Sequence, residues 1–203
     1  MTSVTAVPAP TTSAPSTRRA IARWMISFLG FPLGGFAAWI LTGPVIDTTS
    51  AVAGGLLTGA VLGAGQAWAL PADRRQVLTW IIATAVGLAV GLTAGASLVR
   101  FSTTLTDLAI QGAMSGAAVG LAQTLVLWRR TGPLALAWPG YLAAVWATGW
   151  TVTTLAGIGV EEQFTVFGAS GALVVALLTS VLPLVLRDRA RLNQHGLTSG
   201  VSA

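Results

Sequence analysis

Three polar side chains could do chemistry inside long apolar runs of this sequence. Gln66 lies in GGLLTGAVLGAGQAWAL, Gln123 in QGAMSGAAVGLAQTLVL, and Thr179 takes the matching place in a later run. Polar groups are costly to bury in an apolar medium unless they are hydrogen-bonded. Two roles therefore fit: interhelical hydrogen bonds, worth roughly 0.6–2 kcal/mol in membranes, or a polar site that holds a small polar ligand or lipid headgroup. The first needs no ligand, and we adopt it as the working hypothesis.

Other reactive groups lie outside the apolar interior. Asp107 and Gln111 are one helical turn apart, Glu161 and Glu162 are adjacent, and the single histidine, His195, falls in a polar tail. Paired carboxylates can hold a divalent cation or relay protons, but adjacent residues do not point at one site. Cysteine is absent. We therefore predict no catalytic residue, no metal site and no cofactor, and expect that the protein is not an enzyme.

The composition indicates a protein that lives in lipid. Hydrophobic residues make up 54% of the 203 residues and charged residues only 8%, against roughly 25% charged residues in soluble domains. The net charge is +5, which could suggest nucleic acid. The arginines, however, are scattered between apolar runs and form no basic face, so we expect no nucleic-acid partner.

Six apolar segments are each long enough to cross a hydrocarbon core, which takes about 20 helical residues. They run approximately over Trp24–Thr42, Ala51–Leu70, Val77–Val99, Leu105–Leu127, Pro139–Val160 and Phe164–Leu186. We predict an all-α integral membrane bundle over residues 21–187. Residues 1–20, rich in Ser, Thr, Pro and Ala, are expected to be a disordered tail, and residues 188–203 a polar tail.

The arginines predict the orientation. Ten lie in the two termini and in the second and fourth connections, whereas Arg100 alone lies on the other side. By the positive-inside rule we predict that both termini are cytoplasmic. We expect the protein to lie in the plasma membrane. Trp24, Trp80 and Trp138 begin the outward helices, where indoles are expected at headgroup level. The first segment loosely resembles a signal peptide, but its apolar stretch exceeds the usual 7–15 residues, so we interpret it as a helix.

Glycines recur at every fourth position in three of the segments. Small residues at this spacing share one helix face and allow close helix–helix approach in lipid, where van der Waals packing drives association. We predict that these ladders are contact surfaces, with a wall that leaves room for a ligand as the other possibility. The ladders are Gly55, Gly59 and Gly63; Gly87, Gly91 and Gly95; and Gly112, Gly116 and Gly120. Gly168, Ala172 and Ala176 form a fainter version.

The ladders also repeat along the chain. The glycines and glutamine of the segment around Gln66 reappear 57 positions later around Gln123, and Thr179 holds the third place. The predicted second, fourth and sixth helices all run in the same direction. This pattern indicates three parallel helical hairpins and a pseudo-threefold arrangement about the membrane normal.

One sequence pattern is similar to a known type of protein. GLAQTLVLWRR, and more weakly GAGQAWALPADRR, place Gln after small residues and before an aliphatic run that ends in Arg. The pattern resembles uncharacterised bacterial multi-pass membrane proteins with Q-W-L-V-L-R signatures. This chain departs from it at Ala67 and Thr124, where the signature has Trp after Gln. The resemblance implies a hairpin-repeat architecture and assigns no functional residue.

Three function classes follow from these patterns. The leading one is an association protein, a scaffold or accessory subunit whose partners are membrane lipid and other membrane proteins or a second copy of itself. The second is a carrier or channel for a small neutral or lipid-like solute near Gln66 and Gln123. The third, an intramembrane enzyme, lacks a visible acid–base pair. Whether the two amides face a neighbouring helix or a cavity distinguishes the first two classes.

Overall fold

The computed structural model describes residues 16–71, 73–157, 159–160 and 164–199, with the backbone alone for residues 190, 191 and 193–199. Every regular element in this part of the chain is helical. The α-helices are α1 (Thr17–Ile26), α2 (Gly30–Thr42), α3 (Thr48–Ala69), α4 (Arg74–Leu98), α5 (Leu105–Thr131), α6 (Trp138–Leu155), α7 (Ala169–Thr179) and α8 (Val181–Ser199). Two short 3-10 segments, Ser27–Leu29 and Gly132–Ala137, join α1 to α2 and α5 to α6.

Five helical runs among the described residues are long and apolar enough to cross a membrane. One of them, Leu105–Leu155, is 51 residues long and contains both α5 and α6. The chain reverses within it, because Gly120 packs against Pro139 whereas Gly112, earlier in α5, packs against Trp146, later in α6. The predicted fourth and fifth segments therefore form an antiparallel pair joined by a helical turn instead of a loop.

Side-chain caps explain where the central helices begin. Asp47 and Ser50 form a reciprocal capping box at the start of α3, and Asp73 and Gln76 do the same for α4. The hydroxyl of Thr104 accepts a hydrogen bond from the backbone of Asp107 at the start of α5. Each cap satisfies backbone N–H groups that have no partner within the helix. The cap of α4 lies two turns before Trp80, a residue of the candidate site described below.

The terminal helices extend further than the sequence suggests. α1 begins at Thr17, inside the segment expected to be a disordered tail, and its first turn is capped by Ser16. α8 continues to Ser199, through most of the predicted polar tail. Residues 1–15 and 200–203 lie outside the described part. Charged side chains suit a helix that leaves the apolar region, so polarity alone did not mark the helix end.

The predicted boundaries of the last two segments are wrong. α6 ends at Leu155 instead of Val160, and α7 begins at Ala169 instead of Phe164. The chain from Phe164 to Gly168 is irregular although Val166 and Phe167 are buried. This stretch is held by side-chain contacts and not by helical backbone hydrogen bonds. Thr165 hydrogen-bonds Thr58 at 2.7 Å. Glu161 and Glu162 lie outside the described residues.

Aromatic side chains fill the interior where α2, α6 and the irregular stretch meet. The ring of Phe167 lies 4.9 Å from Phe31, 5.5 Å from Trp146 and 6.1 Å from Trp150, measured between centroids. All four side chains are almost fully buried. Edge-to-face contacts of this kind add about 0.5–1.5 kcal/mol beyond area burial. This cluster packs α2, α6 and the irregular stretch against one another.

Candidate functional site: tryptophans paired with buried polar groups

Gln123 is the centre of a buried hydrogen-bond network and is 1% exposed. Its carbonyl Oε1 accepts a hydrogen bond from Trp138 Nε1 at 2.8 Å. Its amide Nε2 donates to Thr84 Oγ1 at 3.0 Å and to Gln66 Oε1 at 3.4 Å. One amide on α5 thus connects α3, α4 and α6. Both hydrogens and the acceptor are used, so the cost of burying this group is offset.

Gln66 also accepts a hydrogen bond from a tryptophan on an adjacent helix. Trp80 Nε1 donates to Gln66 Oε1 at 3.1 Å, which joins α4 to α3. The indole of Trp80 is buried, whereas Gln66 is half-buried. Gln66 Oε1 therefore accepts two hydrogen bonds, one from Trp80 and one from Gln123. The two amides predicted from the sequence lie in contact with each other.

Thr179 belongs to a separate pair. Trp24 Nε1 donates to Thr179 Oγ1 at 3.1 Å, which joins α1 to the last turn of α7. The Thr179 hydroxyl donates in turn to the carbonyl of Val175 in its own helix at 2.7 Å. Both side chains are buried. The structure thus brings Gln66 and Gln123 together and places Thr179 in an equivalent bond elsewhere in the bundle.

The three tryptophans are the residues whose role the sequence reading missed. Trp24, Trp80 and Trp138 were predicted only to lie at headgroup depth; they are 2%, 3% and 8% exposed, so their indoles are buried within the protein. Each donates its indole hydrogen to a polar side chain on a packed neighbour. Their numbers differ by 56 and 58, which is close to the 57-residue spacing of the glutamines. That shared period was the signal that could have linked each indole with its acceptor.

Close backbone approach surrounds this network. A Cβ added to Gly59 would lie 2.6 Å from Ala85 Cα, and one added to Gly91 would lie 2.7 Å from Ser115 Cα. At Gly116 a Cβ would collide with the carbonyl oxygen of Leu142. The remaining predicted glycines are equally crowded, with added Cβ atoms 2.5 to 3.0 Å from a neighbouring helix at Gly55, Gly63, Gly87, Gly95, Gly112 and Gly120. Side chains larger than hydrogen do not fit at these positions without movement.

A further pair of packing glycines escaped the sequence reading. A Cβ on Gly30 or Gly34 would lie 3.0 Å from the backbone of Leu62 or Thr58, respectively, in α3. Their numbers are 57 below those of Gly87 and Gly91, so the same period could have identified them. The fainter ladder differs: Gly168 is the N-cap of α7, while Ala172 and Ala176 are buried.

Asp47 and Asp107 take part in hydrogen bonds at the N-termini of helices. Ser102 and Thr104 donate to Asp107 Oδ2 at 2.5 and 2.6 Å, so this carboxylate is engaged locally. In the loop before α3, hydrogen bonds from the backbone and side chain of Ser50 lower the pKa of Asp47 below its ordinary value. Within the part of the chain that the structure describes, no cluster of three or more potential ligand side chains could hold a metal ion.

Comparison with protein-family models, with curated proteins and with solved structures finds no match to this chain.

Proposed function

We propose that this chain is an integral membrane protein of the plasma membrane that works by association, as a scaffold or accessory subunit. In this proposal six helices cross the membrane, because the run Leu105–Leu155 is folded back on itself and counts as two crossings. Both termini are then cytoplasmic, in accord with ten arginines on that side. No catalytic step is assigned to it.

A pseudo-threefold arrangement of hairpins is part of the proposal. It is supported by the cyclic order of the indole bonds. The Trp80 indole of the second hairpin bonds Gln66 of the first, and the Trp138 indole of the third bonds Gln123 of the second. The Trp24 indole of the first hairpin bonds Thr179 of the third. Each hairpin therefore donates to the preceding one, and the cycle closes.

The observation that carries the functional proposal is the saturation of Gln123. A carrier for a polar solute needs polar groups that are free to exchange partners with that solute. Gln123 instead spends its acceptor and both hydrogens on three neighbouring helices, at 2.8, 3.0 and 3.4 Å. With Gln123 so engaged, the proposal assigns contacts with other molecules to the surface of the bundle.

The topology is tested by single cysteines, which are unique in a chain without native cysteine. Ser16, Leu136 and Arg189 are exposed at the proposed cytoplasmic side, and Thr49 is exposed at the other. An impermeant thiol reagent added to intact cells should label only Thr49→Cys. Labelling of Leu136→Cys from outside contradicts six crossings. Thr131 is a poorer site for this test because it is 6% exposed.

The closed interior is tested by cysteines at Thr84 and Ser115, which are 0% and 2% exposed and replace small polar side chains. In proteoliposomes, both variants should stay unreactive toward an impermeant thiol reagent until the protein is denatured, whereas Thr49→Cys reacts at once. Reaction of Thr84→Cys in the native state indicates a water-filled path and favours the carrier.

Association is tested by photo-cross-linking in native membranes. Leu125 and Leu177 are 79% and 62% exposed on different helices, so a photoreactive amino acid at each samples two faces. We expect a discrete protein adduct from at least one face, reproducible between preparations. The same probe is also placed at Leu41 and at Val90, which are exposed. If all four positions give only lipid adducts, the association proposal is contradicted.

A further inference from the structure

A groove of about 640 Å³ runs along the outside of the α4–α5 pair. It begins at the first turn of α4 and the last turn of α5, near Arg75 and Arg129, and extends to Val86. Eleven residues of helix at about 1.5 Å each give a length near 16 Å. That length is close to half of a ~30 Å hydrocarbon core, which is one leaflet.

The two ends of the groove differ in chemistry. Arg75, Arg129 and Arg130 line its mouth together with one carboxylate, that of Asp73, so the charges there sum to +2. The mouth also contains the amino terminus of α4, a 25-residue helix, whose dipole favours an anion. This end is complementary to a negatively charged group.

One arginine at the mouth is held in place. The guanidinium of Arg130 donates to Gln76 Oε1 across the α4–α5 interface. Gln76 is itself fixed by the capping box with Asp73. Arg75 and Arg129 are exposed and free to adjust. A preorganised charge beside two adaptable charges suits a phosphate, which arginine binds in a bidentate manner.

Beyond Thr79 the groove is apolar and faces outward. Ile82 and Val86 on α4 are about half exposed, and Leu125 on α5 is 79% exposed. Ala83 and Ala122 form part of the lining, so the two helices leave space between their larger side chains. A soluble anion would leave this wall empty, whereas an acyl chain would cover it.

We infer that this groove binds an anionic phospholipid, with its phosphate at Arg75, Arg129 and Arg130 and an acyl chain along Ile82, Val86 and Leu125. Basic pockets between helices at the cytoplasmic side are a known form of anionic-lipid recognition. The inference rests on the proposed membrane location, but not on the proposed association. The bound lipid is a structural partner of one helix pair, distinct from the bulk bilayer.

The test counts lipids that remain bound to the purified full-length protein in detergent, by mass spectrometry of the intact complex. The probes are dioleoylphosphatidylglycerol, dioleoylphosphatidylcholine and glycerol 1-phosphate. We expect the first to bind selectively. Charges at such surfaces contribute about fivefold in affinity per arginine, so Arg75→Gln with Arg129→Gln should weaken binding roughly 25-fold. Both side chains are exposed, and the variant should fold normally, as its unfolding midpoint without lipid will show.

The matched control is Arg18→Gln with Arg19→Gln, which removes the same charge from exposed residues outside the groove. It should bind phosphatidylglycerol like the parent. Equal loss in both double variants shows a general charge effect and overturns the proposal, as does equal binding of phosphatidylcholine. Glycerol 1-phosphate binding as tightly as the lipid shows that the acyl wall is not used, and also overturns it. Carbonate extraction of membranes reports separately on membrane insertion, so the two proposals fail in distinguishable ways.

Discussion

The contacts that join α3 to α4 and α5 to α6 differ from the contact that joins α1 to α7. The first two combine three glycines with a glutamine whose amide accepts an indole hydrogen. The third keeps Gly168 but has Ala172 and Ala176 in place of the other two glycines, and Thr179 in place of the glutamine. The same tryptophan bond is kept in all three places. The indole donor is therefore common to the three contacts, whereas the acceptor residue and the small residues between the helices differ.

The acceptor decides how many helices one side chain can connect. A glutamine amide offers two hydrogens and an acceptor, and Gln123 uses them to reach three other helices. A hydroxyl offers one hydrogen, and Thr179 spends it on Val175 in its own helix. The helices at this third contact are also interrupted, by the 3-10 segment Ser27–Leu29 and by the end of α7 at Thr179. The third contact thus lacks the additional interhelical bonds that Gln123 makes.

The largest expected effect is at the glycine contacts. Gly59→Leu or Gly116→Leu should lower the free energy of unfolding in detergent by roughly 3 kcal/mol or more, because the added side chain meets backbone that cannot yield locally. Thermal unfolding of purified variants measures this. The control is Gly140→Leu, since an added Cβ there has nothing within 4 Å. A similar loss in all three variants would show that these glycines are not contact surfaces.

The glutamine network is expected to rank second. Gln123→Leu leaves Trp138 without its acceptor and Thr84 without its donor, at a cost of about 1–3 kcal/mol. Gln66→Leu should cost less, near 1 kcal/mol, because Gln66 is only half-buried. The double variant should lose less than the sum, since the two amides share a bond. Additive losses by denaturant titration would mean that this bond contributes nothing, and unchanged stability in both single variants would favour a solute cavity.

Loss of the acceptor at the contact between α1 and α7 should destabilise the protein less than loss of Gln123. Thr179→Val removes the acceptor of one indole, that of Trp24, and should cost about 1 kcal/mol. The matched measurement is Gln123→Leu under the same conditions, where two further bonds are lost. Thr179→Ser retains the hydroxyl and serves as the control. If Thr179→Val destabilised the protein more than Gln123→Leu, the ranking of the three contacts would be reversed.

The smallest effect is expected at a helix cap away from all three contacts. The pKa of Asp47 is lowered in the folded protein by hydrogen bonds from Ser50, so its contribution is present above the unfolded pKa and is lost as the pH falls through the folded pKa. The protection of amides in the first turn of α3 against exchange, relative to their intrinsic rates, should therefore fall as the pH drops below about 3.8. Asp47→Ala should remove this pH dependence. An equal acid response in that variant would assign it to other groups.

Spacing along the chain predicts faces better than it predicts partners. The glycine ladders were visible because residues four apart share a helix face, whichever helix that face meets. The shared period could have linked Gln66 and Gln123 with their tryptophans, but the bond from Gln123 to Thr84 depends on how neighbouring helices are rotated and left no such signal. Gly132 shows the same limit: its place in the connection after α5 gives no sign of strain, but its φ of +58° makes any side chain there strained.

Hydropathy likewise located the apolar runs but not their internal geometry. The stretch from Phe164 to Gly168 reads as the start of a helix because it is apolar. Its backbone is irregular, and Phe167 reaches the aromatic cluster from outside any helix. Composition reports that a segment is buried, whereas the contact between Thr165 and Thr58 that fixes this segment joins residues 107 positions apart. Pairings of that range leave no local pattern to read.

The sequence separations of the three indole bonds indicate the order in which these bonds can form during synthesis. Trp80 and Trp138 find their acceptors 14 and 15 residues back along the chain, so these bonds can form as soon as each connection has been made. Trp24 must wait for an acceptor 155 residues ahead. Of the three indoles, that of Trp24 is made first and is the last to obtain its hydrogen-bond partner. A chain that stops before Thr179 lacks the acceptor of that indole hydrogen.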